Sequence, residues 1–225
     1  MPINPEILTE WESLEKICGV PDIMSDRTTV LFILESPHIE EVRAKIPAVG
    51  RSGREMTKVL FNGRIHEPMG EYLSVHNGHV GLCNVSSLPL QEKAYHRLCK
   101  HEHAGLTNAL AAVRNNWNKR GNFTPILQQV EDVMFAKFMQ KIVHCSSAQV
   151  LIPCGKFAQY YTRKASNVFK GKEVVWDIPH PSHSWWDIKR EHVLGKVSKY
   201  FNHSSLDVVR LLEQFKADNT LQVDK

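Results

Sequence analysis

Residues 28–60 read TTVLFILESPHIEEVRAKIPAVGRSGREMTKVL. The stretch opens with Val30, Leu31, Phe32, Ile33 and Leu34, an unbroken apolar run of the kind that forms a strand buried on both faces of a parallel sheet. Glu35-Ser36-Pro37-His38 ends the run with a carboxylate that is costly to bury, a small hydroxyl, a proline without an N–H and an imidazole. Gly50-Arg51-Ser52-Gly53 then leads into a helical pattern through Met56, Val59 and Leu60. A glycine-flanked helix start can present backbone N–H groups to an anion. Strand, polar loop, glycine turn and helix start together make a candidate active-site edge.

Working outward, three further apolar runs carry the same signature. His79–Val85 ends on Asn84 and Ser86-Ser87-Leu88-Pro89; Gln149–Pro153 runs into Cys154-Gly155-Lys156; Glu173–Ile178 runs into Pro179-His180-Pro181-Ser182-His183-Ser184-Trp185-Trp186. Between them lie helical periodicities over residues 91–118 and 127–144, and another helix begins near Phe157. Asn4-Pro5-Glu6 starts an N-terminal helix over 4–18, and two helices, about 188–201 and 205–217, close the chain. Residues 62–78 read as a polar, glycine-containing connection. Short apolar strands alternating with helices predict an α/β fold, a three-layer α/β/α sandwich around a central four-stranded, mostly parallel sheet. In such sheets ligands bind beyond the carboxyl ends of the strands. Those ends deliver Glu35, Asn84, Cys154-Gly155 and His180 to one region.

The 225 residues suit one domain with a sizeable core, and 42% hydrophobic against 23% charged content is that of a soluble protein. No run reaches the roughly 18 apolar residues of a membrane span, and the first residues have no signal-peptide pattern, so a cytoplasmic chain without membrane contact is expected. Five cysteines without a C-x-x-C pair argue against a disulfide framework and against a four-cysteine metal or iron–sulfur site. His96, Cys99, His101 and His103 lie close together but have no supporting motif, and neither metal nor cofactor is expected. A net charge of +4 is compatible with a polyanionic partner without establishing one.

The combination of Glu35-Ser36-Pro37, Glu41, Pro47, Gly50 and Gly53, with Asn84, Cys154-Gly155-Lys156-Phe157-Ala158 and His180-Pro181-Ser182, resembles the uracil-DNA glycosylase superfamily. It looks closest to the branch whose first motif reads Gly-Glu-Ala-Pro-Gly followed by Pro-Phe-Val-Gly-x-Ala-Gly, and the similarity spans roughly residues 29–190. The resemblance implies a monomeric, monofunctional DNA glycosylase, acting on DNA as partner, that flips a nucleotide out of the stack and hydrolyses its N-glycosidic bond. It implies Glu35 as the catalytic carboxylate beside the sugar and His180 as the donor to the departing base. Ser36, Pro37, His38, Ala48 and Asn84 would surround that base. Arg51, Ser52, Gly53, Gly155 and Lys156 would hold phosphates, and Ser182, His183, Ser184, Trp185 and Trp186 would supply the loop and wedge.

Two positions depart from that branch. Ala48 stands where it has the phenylalanine that stacks on the base, and His38 stands where it has the second glycine of the first motif. The branch's iron–sulfur cysteines are also missing. A lost ring enlarges the pocket, which points away from uracil and toward a bulkier or hypermodified base, as in phage DNA met by a defence enzyme. Two other readings stay open, a catalytically silent DNA- or nucleotide-binding module with the same fold, and a hydrolase of free nucleosides.

Overall fold

The computed structural model describes residues 4–76, 78–95, 103–119 and 123–204. Strands β1 (Val30–Leu34), β2 (Val80–Asn84), β3 (Val150–Pro153) and β4 (Glu173–Val174) form one sheet in the order β2-β1-β3-β4, and every pair is parallel. All five side chains of β1 are buried, as its unbroken apolar run requires of a central strand. Alternation splits them between two cores. Leu31 and Ile33 face the layer formed by α1 (Pro5–Cys18), α5 (Ala104–Asn116), α6 (Pro125–His144) and α7 (Gly155–Lys164). Val30, Phe32 and Leu34 face α3 (Arg51–Leu60), α4 (Met69–Val75), α8 (Trp185–Ile188) and α9 (Arg190–Ser204). The result is the expected three-layer α/β/α arrangement, with a sheet that is parallel throughout.

From β1 the chain crosses to β2 on one side, then returns to β3 on the other. The winding therefore reverses between β1 and β3, and a crevice opens beyond their carboxyl ends. Glu35 follows β1, and Cys154-Gly155 follow β3, so both segments reach this switch point.

Local chemistry sets the helix ends. The Asn4 side chain accepts the Glu6 N–H at 2.9 Å ahead of Pro5, and Thr124 caps α6 in the same way. At the other ends lysines substitute for missing donors. Lys45 Nζ donates to the carbonyls of Ile17 and Gly19, and Lys172 Nζ to those of Cys145, Ser146 and Ala148.

Several boundaries differ from expectation. The fourth strand, expected over 173–178, holds only two residues plus an isolated bridge between Cys154 and Ile178. Asp177 adopts φ +66°, and α9 takes over the segment's polar groups: His192 Nε2 donates to the Asp177 carbonyl and Lys196 Nζ to that of Trp176, both at 2.9 Å. Residues 62–78 contain α4, whose seven residues are too few to show a periodicity, and α2 (Ile39–Ala44) sits within the first motif. The long helix expected over 91–118 is a 3-10 turn at Glu92–Ala94 followed by α5; residues 96–102, with His96, Cys99 and His101, lie outside the described residues, as does the helix expected over 205–217. The first closing helix, expected over 188–201, is α8 followed by α9. No helix among the described residues is long and apolar enough to cross a membrane.

Candidate active site

A cleft of about 630 Å³ occupies the switch point. Glu35, Ser36 and His38 reach it from the loop after β1, and Glu40 and Glu41 from α2. Arg51 and Ser52 come from the start of α3, Gln91 and Arg114 from the layer of α5, and His180, Ser182 and His183 from the loop after β4.

Glu35 is held at the end of a strand that is paired on both sides, and its own carbonyl accepts the Ser86 N–H at 3.1 Å. Its carboxylate meets Arg114, with Nε 2.5 Å from Oε1. His180 is placed by Gly155. This glycine has φ +86°, and a Cβ there would lie 2.8 Å from the His180 Cβ, so both the turn and the close approach exclude a side chain. Burial, opposed by Glu35 and reinforced by Arg114 and His183, holds the imidazole below the usual histidine range. At neutral pH it is uncharged, with one ring N–H to donate.

The loop from His38 to Ala48 folds around one carboxylate. Glu41, buried at the cleft wall, accepts the backbone N–H groups of both His38 and Ala48. The loop then presses against two helices. A Cβ on Gly53 would come 1.6 Å from the Ala48 carbonyl oxygen, and one on Gly70 would come 1.7 Å from that of Pro47. Burial, opposed by the two N–H donors, pushes the Glu41 carboxyl up to about 7. A raised carboxyl binds a proton on folding, so its contribution to stability is present at low pH and is lost as pH rises from about 4.5 to about 7. His180, whose shift is downward, slopes the opposite way. Denaturant midpoints across this window, taken as wild type minus Glu41→Gln, are therefore expected to fall with rising pH.

The loop after β4 carries His183 and Ser184 with φ of 55° and 59°, two successive non-glycine residues in the left-handed region. Arg51 Nη2 donates to Ser184 Oγ at 3.1 Å and so ties this loop to the start of α3. Asp187 anchors α8: its N–H donates to Glu55 Oε1 at 2.8 Å, and its carboxylate meets Lys58 at 2.5 Å and Arg190 at 3.2 Å.

The structure thus brings together Glu35, Ser36, His38, Arg51, Ser52, His180, Ser182 and His183 on one cleft. Other expected contacts require correction. Trp186 is fully buried, donates Nε1–H to the Pro179 carbonyl at 2.7 Å and packs against Phe32, so it belongs to the core; Trp185, 46% exposed, is the outward-facing ring of the pair. Ala48 is buried among the core residues of α3 and does not line the cleft, because its backbone is fixed by Glu41 and by the Gly70 N–H. Pro37 and Gly53 are likewise buried and away from the lining. The Gly155 N–H is already donated to the Ile178 carbonyl at 2.9 Å, which removes it as a phosphate donor, whereas Lys156 does not line the cleft but is exposed and open to a phosphate. Ser184 serves the loop through Arg51.

Asn84 sits at the same edge, in register with Leu34, but it is covered. Its backbone N–H donates to Asp22 Oδ1 at 2.9 Å and its carbonyl accepts from Lys141 Nζ at 3.0 Å. Asp22 and Lys141 are themselves ion-paired at 3.0 Å. Its side-chain Nδ2 is buried without a hydrogen-bond partner among the described residues.

Arg114 and Gln91 escaped the sequence reading. The α5 periodicity marks Leu110 and Val113 as core, but nothing in a helical pattern tells that Arg114, the cation of its last turn, reaches another element's carboxylate. Among the described residues no group of three or more His, Cys, Asp or Glu could hold a metal ion. Cys18, Cys83, Cys145 and Cys154 are buried, and burial pushes the Cys83 and Cys154 thiols up, away from the nucleophilic thiolate. No protein-family model matches the chain, and neither does any curated protein.

Proposed function

We propose that this chain is a monofunctional DNA glycosylase that everts an altered base and hydrolyses its N-glycosidic bond, the reading to which its resemblance to the uracil-DNA glycosylase superfamily leads. The observation that carries it is the pairing of an acid, Glu35, with an uncharged imidazole, His180, on one cleft at the switch point. Breaking the bond between base and sugar develops positive charge on the sugar and negative charge on the base. Glu35 stabilises the first and accepts a proton from the attacking water. His180 donates its N–H to the second, a contact of the kind worth on the order of 3–4 kcal/mol in a water-excluded site.

The remaining residues fit the tasks of holding an everted nucleotide. Asn84 does not line the cleft, but its buried Nδ2 is a donor without a partner among the described residues, and a base edge that reached it would satisfy it. Arg51, Ser52 and Ser182 suit phosphate oxygens at the rim. A cleft of about 630 Å³ with polar groups from Ser36, His38 and Gln91 is roomier than an unsubstituted pyrimidine needs, which favours a base carrying a bulky polar group.

Trp185 suits the wedge, with Ile188 exposed beside it on α8 and the Lys189 ammonium 5.6 Å from its ring centroid. Trp185→Ala is expected to weaken DNA binding by about 1–3 kcal/mol, the loss of one stacked base, with the unfolding midpoint unchanged. Trp186→Phe should do the reverse, costing about 1 kcal/mol of stability through its lost hydrogen bond and leaving DNA affinity in place.

The deciding experiment incubates the protein with DNAs bearing uracil, hypoxanthine, alkylated, hydroxymethylated or glucosylated bases and scores abasic sites and released base by mass. Release from one of them supports the reading. Tight binding with no release from any would instead make the chain a DNA-binding module.

A further inference from the structure

Within this reading, we propose that Arg114 is the positioning residue for Glu35: its Nε–H fixes Oε1, leaving Oε2 as the oxygen that meets water and the sugar. Arg114 Nε–H donates to Glu35 Oε1 across a pair of opposite charges, and both residues line the cleft. Oε2 makes no hydrogen bond to any described residue. Both partners stand on rigid elements. Glu35 leaves a strand paired on both sides, and Arg114 follows the fully buried Val113 in the last turn of α5, where a cation also complements the helix dipole. A half-buried carboxylate with no such partner would sample several rotamers and be desolvated without compensation. The pair follows the logic in which a base is itself oriented by a third group.

Arg114 also acts on the other catalytic side chain. Three charged or titratable groups face His180: Glu35 from the end of β1, Arg114 from α5 and His183 from its own loop. With Arg114 in place its cation disfavours a second one on His180, and part of the attraction from Glu35 is neutralised. Removing it strips away the repulsion and unmasks the carboxylate. Both changes favour the imidazolium over the neutral ring.

The test compares wild type, Arg114→Ala and Arg114→Lys by NMR titration of the His180 ring and by single-turnover base release with DNA affinity measured across salt. In Arg114→Ala, His180 is expected to titrate at higher pH than in wild type. Release should fall about 10²-fold, while the DNA dissociation constant and its salt dependence stay unchanged. Arg114→Lys, which keeps the charge but loses the planar Nε donor, should restore the titration and only part of the rate. Unaltered titration and rate in Arg114→Ala would overturn the proposal. So would an intact rate with a salt slope reduced by about one phosphate, which would make Arg114 a backbone contact. Should wild type release no base from any DNA, the glycosylase reading fails alone, because the His180 titration still decides whether Arg114 governs the pair.

Discussion

Glu35→Gln is expected to lower base release by about 10²–10⁴-fold while leaving DNA affinity within a few-fold and the unfolding midpoint in place. The replacement is close to isosteric, and its amide oxygen can still accept the Arg114 Nε–H, so the geometry of the cleft persists. What disappears is the negative charge opposite the developing sugar cation and the capacity to take a proton from water. His180→Ala should give a loss of about 10²–10³-fold by removing the donor to the leaving base. Single-turnover release on the substrate found in the base panel, with binding measured on the same DNA, separates the two effects. A Glu35→Gln variant as fast as wild type would show that the carboxylate does not act in the chemical step.

Lys141→Met should cost about 3–5 kcal/mol of stability. Lys141 and Asp22 form a largely buried ion pair with side-chain exposures of 16% and 8%, and together they grip the backbone of Asn84, one from its carbonyl and one from its N–H. Burial works against the Lys141 charge, but the Asp22 carboxylate, helped by Glu15, outweighs it and holds the ammonium above the usual lysine range. Methionine fills the stem's volume and leaves Asp22 buried without a counter-charge. The double replacement Asp22→Asn with Lys141→Met removes both charges and should recover much of the loss. Denaturant unfolding measures the stabilities, and a single-variant loss below about 1 kcal/mol would show that the pair does not secure the end of β2.

These two outcomes bear on different levels of the molecule, and the levels differ in how far the chain itself displays them. Strand β1 was legible to the residue, because a central parallel strand must be apolar on both faces and Val30–Leu34 has no other use for such a run. Strand β4 was not. Trp176 and Asp177 look like strand continuation, but their carbonyls are taken by Lys196 and His192 from α9, twenty and fifteen residues further on. Trp185 and Trp186 are adjacent and chemically identical, yet one ring faces outward and the other packs on Phe32. Neighbouring positions of a four-residue helix point to different sides, and only the docking of α8 onto α3 through Asp187 decides which side is core.

The same division runs through the site. The order of residues was enough to bring Glu35, at the end of β1, and His180, in the loop after β4, to one edge, since a parallel α/β sheet presents all its carboxyl termini together. It could not say that Glu41 would hold the backbone on either side of its own loop, that Ala48 would be sealed by that loop, or that Arg114 would arrive from the next layer to meet Glu35. Periodicity and composition record which atoms must leave water, and so determine elements, layers and the functional edge. Which oxygen receives which N–H depends on contacts between segments far apart in the chain, such as Glu35 with Arg114 at a separation of 79 and Ser184 with Arg51 at 133, and that was settled only when the layers closed.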